Sequence, residues 1–201
     1  TMQLRTLIKN STADFTVPMV LMHGYGSDER DMYGLAEELP NYLEVYCLRA
    51  PLHAGPGYAW FDIQWSPEGI TFEQNQLNQS LQIIADFVAM LPSSPLIIGG
   101  FSQGAMMTLA MMHHFPKAFT HAVLLSGRGV DTVTPTFAGP VFHAHGQYDE
   151  VIELSFAHTL NQALLPLGTQ YEYHEYQMGH TICMDELKDL NKWLNRSFVP
   201  N

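Results

Sequence analysis

A serine between two glycines stands where a strand-like run meets a helical pattern. The segment is Gly100–Gly104 (GFSQG), with Ser102 at its centre, and it follows the apolar run Leu96–Gly99. This pattern in this context is typical of a nucleophile elbow, in which the serine occupies a strained turn and small neighbours let strand and helix cross. We therefore predict that Ser102 is a nucleophile exposed at the edge of a sheet.

A serine hydroxyl becomes a good nucleophile only when a histidine takes its proton and a carboxylate orients that histidine. In a strand–elbow–helix arrangement the acid and the histidine follow the serine in that order, each in a loop after a strand. Asp149 follows the strand-like run Val141–His145, and His180 follows the run Gln170–Tyr176. The sequence therefore predicts a triad of Ser102, Asp149 and His180.

Other residues compete for roles in this chemistry. Glu150 adjoins Asp149, but it is expected to begin a helix and to point along it. His143 and His145 share one face of a predicted strand, which is typical of paired metal ligands. No third ligand lies at a suitable spacing, so no metal site is predicted. Cys183 falls on the apolar stripe of the last predicted helix and is expected to pack in the core rather than act as a second nucleophile.

The backbone around these side chains must supply donors for the negative charge that develops on a reacting carbonyl oxygen. The N–H of Gln103 fits, because it begins the helix after Ser102, whose dipole also favours negative charge. A second donor is expected from the loop His23–Gly26 (HGYG), which follows the strand-like run Val17–Met22. Gly179 is expected to permit the sharp turn that aims the histidine ring at the serine.

The elements that must position these residues alternate between strand-like runs and helical patterns. Most of the runs are continuously apolar, as expected of central strands covered on both faces. The predicted strands are Leu4–Ile8, Val17–Met22, Leu43–Leu48, Leu96–Gly100, His121–Ser126, Val141–His145 and Gln170–Tyr176. This alternation predicts an α/β fold with a mostly parallel sheet.

Four helices are predicted between and after these strands. The first is expected to begin with a capping box formed by Thr71 and Gln74. The others are expected to run from about Gln103 to His114, from about Glu150 to Leu165–Pro166, and through the stripe Cys183, Leu187, Leu190 and Leu194. The long segment Pro51–Gly69 interrupts the alternation, and a connection of that length is usually functional.

Length and composition exclude several classes of protein. A chain of 201 residues with 46% hydrophobic and 14% charged residues suits one domain, residues 1–201, rather than a disordered chain. A net charge of −11 would repel a phosphate backbone, so nucleic-acid binding is not expected. No apolar run reaches the ~20 residues of a membrane helix, no secretory leader is visible, and the two cysteines form no CxxC pair. We expect a reduced, cytoplasmic protein without stable membrane insertion.

Taken together, these motifs resemble the α/β-hydrolase carboxylesterases that include the acyl-protein thioesterases and lysophospholipases. The resemblance runs from about Val17 to Leu194 and rests on Leu21–Gly26, Arg49–Pro51, Trp60–Asp62, Gly100–Gly104, Leu125–Gly127, His145–Gly146 with Asp149 and Val151, and Gly179–His180 with Glu186–Leu187. The segment Gly57–Asp62 is similar to that of small bacterial predicted esterases within this group. The resemblance implies an α/β-hydrolase fold with about seven central strands, helices on both faces, no cap domain and no cofactor.

The resemblance also implies roles for individual residues. Ser102, Asp149 and His180 match the family's triad positions, and the backbone N–H groups of Tyr25 and Gln103 match its oxyanion donors. The implied activity is hydrolysis of carboxylic esters through an acyl-enzyme intermediate. Because no cap domain covers a long chain, short-to-medium acyl esters are the expected small-molecule substrates.

Four further positions either match the family near its acyl pocket or depart from its usual residue. Trp60 and Phe61 match a segment near the acyl pocket in the family, so they are expected either to bind substrate or only to anchor the loop. Ala105 stands where a second glycine is common, and Glu153 stands where a proline is common. The first substitution keeps a small side chain, and the second is expected to alter a helix start rather than the acid.

Several functional alternatives remain open from the sequence. Acyl-protein thioesterase or lysophospholipase activity would use the same machinery as ester hydrolysis. A second class is a non-catalytic binding protein on this fold, which would typically lack a triad member, whereas all three are present here. A metal-dependent enzyme is the third class. Family members often pair through a surface patch, so a homodimer is one expected oligomeric state.

Overall fold

The computed structural model describes residues 4–130 and 136–201, and its centre is a seven-stranded sheet. The strands of the described residues are β1 (Thr6–Lys9), β2 (Val17–Met22), β3 (Leu43–Leu48), β4 (Leu52–Ala54), β5 (Gly57–Ala59), β6 (Ile63–Ser66), β7 (Gly69–Phe72), β8 (Ile97–Phe101), β9 (His121–Leu125), β10 (Val141–Gly146) and β11 (Tyr171–Tyr176). The helices are α1 (Glu29–Ala36), α2 (Gln74–Val88), α3 (Gln103–His114), α4 (Leu154–Leu164) and α5 (Met184–Phe198), with a 3₁₀ segment at Leu165–Gln170.

The order of the strands brings the predicted site residues to one edge of the sheet. The order across the sheet is β1-β3-β2-β8-β9-β10-β11, and only β1 runs antiparallel to its neighbour. The other six strands are parallel, so their carboxyl ends lie along the same edge. Ligands and catalytic loops of open parallel sheets lie outside that edge. The expected α/β architecture with a mostly parallel sheet is confirmed.

Helices cover both faces of this sheet, which explains why a central strand such as β2 is continuously apolar. All six residues of β2 are buried. Val20 and Met22 pack into one core cluster with α2, α3 and α4, while Met19 and Leu21 pack into the other with α1 and α5. The alternation of side chains along a strand therefore supplies apolar surface to two separate layers of helices.

The segment Pro51–Gly69 contains more regular structure than its composition predicts. Strands β4 and β5 form one antiparallel hairpin, and β6 and β7 form a second. Thr71 lies in the second hairpin, where it pairs with Gln64, so the predicted capping box with Gln74 is wrong. Helix α2 begins at Gln74 after Glu73, whose side chain makes no capping hydrogen bond. The strand pairing holds the backbone extended until just before the helix begins.

Two other helix starts differ from the sequence prediction. Helix α4 begins at Leu154 rather than near Glu150, because the carboxylate of Asp149 holds the residues after it in a turn. Cys183 is the residue directly before α5 and is partly exposed, so it caps the helix rather than packing within its apolar stripe. Among the described residues, no helix combines the length and the apolar character that crossing a membrane requires.

Candidate active site

Ser102 occupies the turn between β8 and α3 in a backbone conformation that few L-residues adopt. Its φ and ψ are 59° and −115°. A Cβ on Gly100 would lie 2.3 Å from the carbonyl carbon of Gly104, and a Cβ on Gly104 would lie 1.9 Å from the carbonyl oxygen of Met22. Both glycines are therefore required by the close crossing of β8, α3 and β2, as the elbow pattern predicts.

Three side chains from three different loops meet in one hydrogen-bonded chain. The Ser102 hydroxyl lies 2.9 Å from Nε2 of His180, and Nδ1 of the same ring lies 2.7 Å from Oδ2 of Asp149. With the proton on Nδ1, the ring donates to the carboxylate and accepts from the serine. The structure thus brings together the serine, histidine and acid that the sequence singled out.

The carboxylate of Asp149 is fully enclosed and has a donor at each oxygen. Oδ1 accepts hydrogen bonds from the backbone N–H groups of Val151 (2.9 Å) and Ile152 (2.8 Å), while Oδ2 accepts from His180. These donors hold the acid in one orientation. The competing acid, Glu150, is exposed and makes no hydrogen bond to His180 in the described part of the chain.

A second histidine, His145, lies beside the carboxylate of Asp149 and supports it. Nε2 of His145 lies 2.7 Å from the carbonyl oxygen of Ile152 and 3.5 Å from Oδ2 of Asp149. The ring therefore carries its proton on Nε2, which it donates to that carbonyl. Burial lowers the pKa of His145, so the ring stays neutral. Sequence reasoning missed this role, although the spacing of four residues between His145 and Asp149 was visible.

The loops that carry the acid and the histidine are tied to each other. The N–H of Gln147 donates to the carbonyl of Tyr176 (2.8 Å), and the N–H of Tyr148 donates to that of Met178 (3.0 Å). A Cβ on Gly146 would lie 2.3 Å from the carbonyl oxygen of Gly179. The glycine that this close approach requires is therefore Gly146, whereas Gly179 has an ordinary backbone conformation and nothing nearer than 3.8 Å. The expectation that Gly179 permits the turn is corrected accordingly.

The predicted oxyanion donors lie on the two segments that flank the serine. Gln103 is the first residue of α3, where backbone N–H groups have no intrahelical partner. The loop of Tyr25 packs against the serine, since a Cβ on Gly24 would lie 3.1 Å from Cβ of Ser102. Within the described ranges, the N–H groups of Tyr25 and Gln103 make no backbone hydrogen bond outside the helices and strands. Both remain available to a bound carbonyl oxygen.

Two cavities of about 360 Å³ each meet at Ser102 and His180. The first, which we call the Asp31 cavity, has walls that include Gly24, Ser27, Asp31, Met32 and Thr181. The second, the Arg128 cavity, lies beside the β6–β7 hairpin and has mainly apolar walls, which include Ile63, Ile70, Phe72, Met106, Ile152 and Arg128. A bound ester therefore has a separate space on each side of its carbonyl group.

Trp60 and Phe61 lie behind the Arg128 cavity rather than in its described walls, and both are 0% exposed. The indole N–H of Trp60 donates to the carbonyl of His23 (2.9 Å), and its backbone N–H donates to Oε1 of Gln103 (2.8 Å). Nε2 of Gln103 donates to the carbonyl of Phe61 (2.7 Å). These contacts fit the second of the two expected roles, in which Trp60 and Phe61 anchor the loop, because they join the hairpin segment to the elbow.

Each of the paired histidines of β10 uses one ring nitrogen in a hydrogen bond to a protein group. His143 donates from Nδ1 to the hydroxyl of Tyr171 (2.7 Å), which in turn donates to Oδ1 of Asn161 (2.8 Å). Burial lowers the pKa of His143 to about 3, so this ring is neutral as well. Residues 4–130 and 136–201 hold no cluster of three or more His, Cys, Asp or Glu side chains placed to bind a metal. The geometry gives the metal alternative no support.

Known proteins resemble this chain in sequence and in fold. The family described as phospholipase/carboxylesterase matches residues 6–198. Acyl-protein thioesterase 1 of Saccharomyces cerevisiae is 30% identical over 160 residues, which cover 69% of this chain and 68% of that protein. The crystal structure of esterase PE8 is similar with a TM-score of 0.84 and 26% identity, over 97% of this chain and 99% of that one.

A Bacillus cereus carboxylesterase shares the fold, with a TM-score of 0.83, 20% identity, and coverage of 97% of this chain and 95% of that one. The sheet order, the elbow and the family match therefore describe one α/β-hydrolase architecture. The chain belongs to the phospholipase/carboxylesterase family and is a serine hydrolase of esters or thioesters.

Proposed function

We propose that this chain is a carboxylesterase that hydrolyses short-to-medium acyl esters through Ser102, His180 and Asp149. The observation that carries the proposal is the hydrogen-bonded chain of these three side chains, with distances of 2.9 and 2.7 Å, at the mouth of an apolar cavity. Nucleophile, base and orienting acid are each within the reach that proton transfer requires.

In the proposed reaction, Oγ of Ser102 attacks the ester carbonyl carbon while Nε2 of His180 takes the hydroxyl proton. The N–H groups of Tyr25 and Gln103 donate to the oxygen on which negative charge develops. Collapse of the tetrahedral intermediate breaks the bond to the leaving alcohol, which receives the proton from His180. Water then attacks the acyl-enzyme by the same proton route and regenerates the serine. Asp149 stabilises the imidazolium in both halves of the cycle.

The size of the Arg128 cavity supports short-to-medium acyl groups. About 360 Å³ lies near the lower end of the range for ligand pockets. Burial of each CH₂ contributes ~0.8 kcal/mol, so kcat/KM should rise roughly fourfold per carbon until the cavity is filled. A series of esters with the same alcohol and acyl chains of increasing length would show this rise and its end. A rate that continues to rise through long chains would contradict the proposed range.

Labelling with a fluorophosphonate tests the triad without any assumed substrate. We expect one adduct per chain by intact mass, on Ser102 by peptide mapping, and none on the Ser102→Ala variant. Absence of an adduct on correctly folded wild-type protein would contradict the proposed activation of this serine. An adduct at another residue would identify that residue, and not Ser102, as the nucleophile.

Thioester hydrolysis is a second candidate, because the curated relatives of this chain include acyl-protein thioesterases of several fungi. The same serine and histidine would attack a thioester, whose thiolate leaves without needing full protonation. An oxygen ester and a thioester with the same acyl group, assayed side by side, distinguish the two activities. A lysophospholipid in the same assay tests the remaining alternative.

We also infer that residues 1–201 form one domain, since both core clusters pack on opposite faces of one sheet. The cytoplasmic location and a homodimer stay predictions from the sequence and its resemblance. Sedimentation at several protein concentrations would test the dimer, and it would be excluded by a monomer mass throughout.

A further inference from the structure

Arg128 places a positive charge in the wall of an otherwise mainly apolar cavity. It follows β9 at the same sheet edge as the triad, and its cavity is the one that opens at Ser102 and His180. The guanidinium carbon lies 3.8 Å from the ring centroid of Phe156 and 5.3 Å from that of Phe72. Stacking on these rings fixes the plane of the guanidinium.

No protein group in the described residues neutralises this charge. Nε of Arg128 is buried and has no hydrogen-bond partner there, and no carboxylate of those residues lies within 4.0 Å of the guanidinium. Other arginines differ: Arg49 pairs with Glu29 at 2.9 Å, and Arg30 pairs with Asp28 at 2.6 Å. Burial lowers the pKa of Arg128, which indicates that the charge is disfavoured in the free protein. Among the described residues, no carboxylate therefore competes with an anionic ligand for this guanidinium.

The chemistry of a guanidinium defines the ligand group that would do so. Its planar fork of N–H donors matches a carboxylate or phosphate, and hydrogen bonds between charged groups are about twice as strong as neutral ones. The same cavity is lined mainly by apolar side chains, which include Ile63, Ile70 and Met106. A ligand that fits both features has a hydrocarbon segment next to its ester carbonyl and an anionic group at its far end.

The other side of the ester is a poor place for an anion. Asp31 contributes a carboxylate to the Asp31 cavity, where it accepts a hydrogen bond from Ser27. The whole chain has a net charge of −11, which repels anions at long range. A local cation is therefore needed to attract an anionic substrate. Among the described residues that line the two cavities, Arg128 is the one arginine or lysine side chain.

We propose that Arg128 binds a carboxylate at the end of the substrate's acyl chain, so that half-esters of dicarboxylic acids are the preferred substrate class. This proposal rests on the proposed esterase function and specifies the substrate of the same site. The carboxylate pairs with the guanidinium while the methylene groups pack on the apolar walls. The ester carbonyl then lies beside Ser102.

A pair of methyl esters with equal acyl length tests the proposal. Monomethyl adipate carries a terminal carboxylate, and methyl hexanoate carries a methyl group in its place. We expect the ratio of kcat/KM for monomethyl adipate over methyl hexanoate to fall at least tenfold in Arg128→Gln, because a charge-assisted hydrogen bond is lost. Arg128→Lys, which keeps the charge but not the fork, should lie between the wild type and Arg128→Gln.

A matched control separates local binding from the loss of one positive charge. Arg196 is an exposed arginine of α5 that pairs with Glu172 and lies in neither cavity wall. Arg196→Gln removes the same charge and should leave the substrate ratio at its wild-type value. An equal fall of the ratio in both variants would show that net charge, and not Arg128, sets the preference, and would overturn the proposal.

Two further outcomes are informative about the site. The hexanoyl ester of glycolic acid carries its carboxylate on the alcohol side, and if only this substrate depended on Arg128 the assignment to the acyl side would be wrong. If Arg128→Gln lowered the melting temperature and left the ratio unchanged, Arg128 would only brace Phe156 against Phe72.

If Arg128→Gln does not fold, competitive inhibition of the wild type decides, with adipate expected to inhibit at least tenfold more strongly than hexanoate.

Fluorophosphonate labelling in the same preparations keeps this proposal distinct from the proposed function. If Ser102 is labelled in the wild type and Arg128→Gln leaves the substrate ratio unchanged, only the proposed anion site is overturned. Failure of labelling in the wild type would instead contradict the esterase mechanism on which the anion site rests.

Discussion

In the proposed reaction Ser102 and His180 act on the same proton, so the effects of replacing them should not add. We expect Ser102→Ala and His180→Ala each to lower kcat by several orders of magnitude, and the double variant to lower it by about the same factor. Steady-state rates of the three variants on one ester would measure this. If the losses multiplied, the two side chains would not share one mechanism, contrary to the hydrogen bond of 2.9 Å between them.

His145 should act as a positioning residue for the acid. It holds the carbonyl of Ile152, whose N–H in turn holds Asp149. We expect His145→Ala to lower kcat roughly tenfold with little change in KM, because the acid loses part of its support without contact to substrate. His145→Gln, which can still donate a hydrogen bond, should recover part of the loss.

The neighbouring His143 provides the control for that variant. It is equally buried on the same strand, but it donates to Tyr171 and lies away from the triad. His143→Gln is expected to lower the melting temperature while the folded enzyme keeps its kcat. A similar loss of kcat from both histidines would assign His145 a purely structural role.

Chain order was enough to predict which three side chains the structure brings together, but not the residues around them. Ser102, Asp149 and His180 each follow a recognisable strand, and parallel strands bring such loops to one edge. Contacts such as that of Arg128 with Phe156 depend on how the loops pack, and no local pattern specifies them. The resemblance left Trp60 with two expected roles, substrate binding or anchoring of the loop, and its hydrogen bonds to Gln103 and His23 depend on packing that the sequence does not show.

The two loops after β10 and β11 pack tightly against each other at Gly146. A Cβ there would lie 2.3 Å from the carbonyl oxygen of Gly179, so Gly146→Ala should push the acid and histidine loops apart. We expect kcat to fall at least tenfold and the melting temperature to fall as well. Gly179→Ala is the matched control, since its nearest atom lies at 3.8 Å and its φ is not positive. Equal losses in both variants would contradict this account of the loop contact.

The start of α5 contains a buried acid that should make stability depend on pH. Glu186 is 0% exposed; one oxygen accepts from the N–H of Cys183 (3.2 Å), and the other has no partner in the described residues. Burial raises the pKa of Glu186 from 4.5 to about 8. Between these values the folded protein keeps a proton that the unfolded chain releases, so the free energy of unfolding falls as pH rises.

For one proton released on unfolding, the free energy of unfolding changes by about 1.4 kcal/mol per pH unit. Glu186→Gln should remove this dependence on pH. Urea denaturation from pH 5 to pH 8 would compare the two proteins, with the variant expected to be the more stable at pH 8. Asp185→Asn changes an exposed acid in the same helical turn and should keep the wild-type slope. Parallel curves for wild type and Glu186→Gln would show that this carboxyl is charged in the folded state.

At the level of elements, apolar strands were predicted well and helix starts less well. The bounds of β2 follow from a continuous apolar run, because this strand is buried on both faces. The start of α2 was misplaced because the pairing of Thr71 with Gln64 in a hairpin overrides a local capping pattern. Hairpin pairing is a contact between segments, and the composition of Pro51–Gly69 does not reveal it.

The molecule as a whole should unfold in one step, because one sheet forms the base of both cores. Trp60 is buried in the cluster with α2–α4, and Trp193 is buried in the cluster with α5 on the opposite face. Loss of either layer exposes the sheet that the other layer needs, so neither face should be stable alone. Variants that retain only Trp60 or only Trp193 are expected to show the same urea midpoint by fluorescence, coincident with far-ultraviolet circular dichroism. Separate midpoints would mean that the two faces unfold independently and that the chain does not behave as one domain.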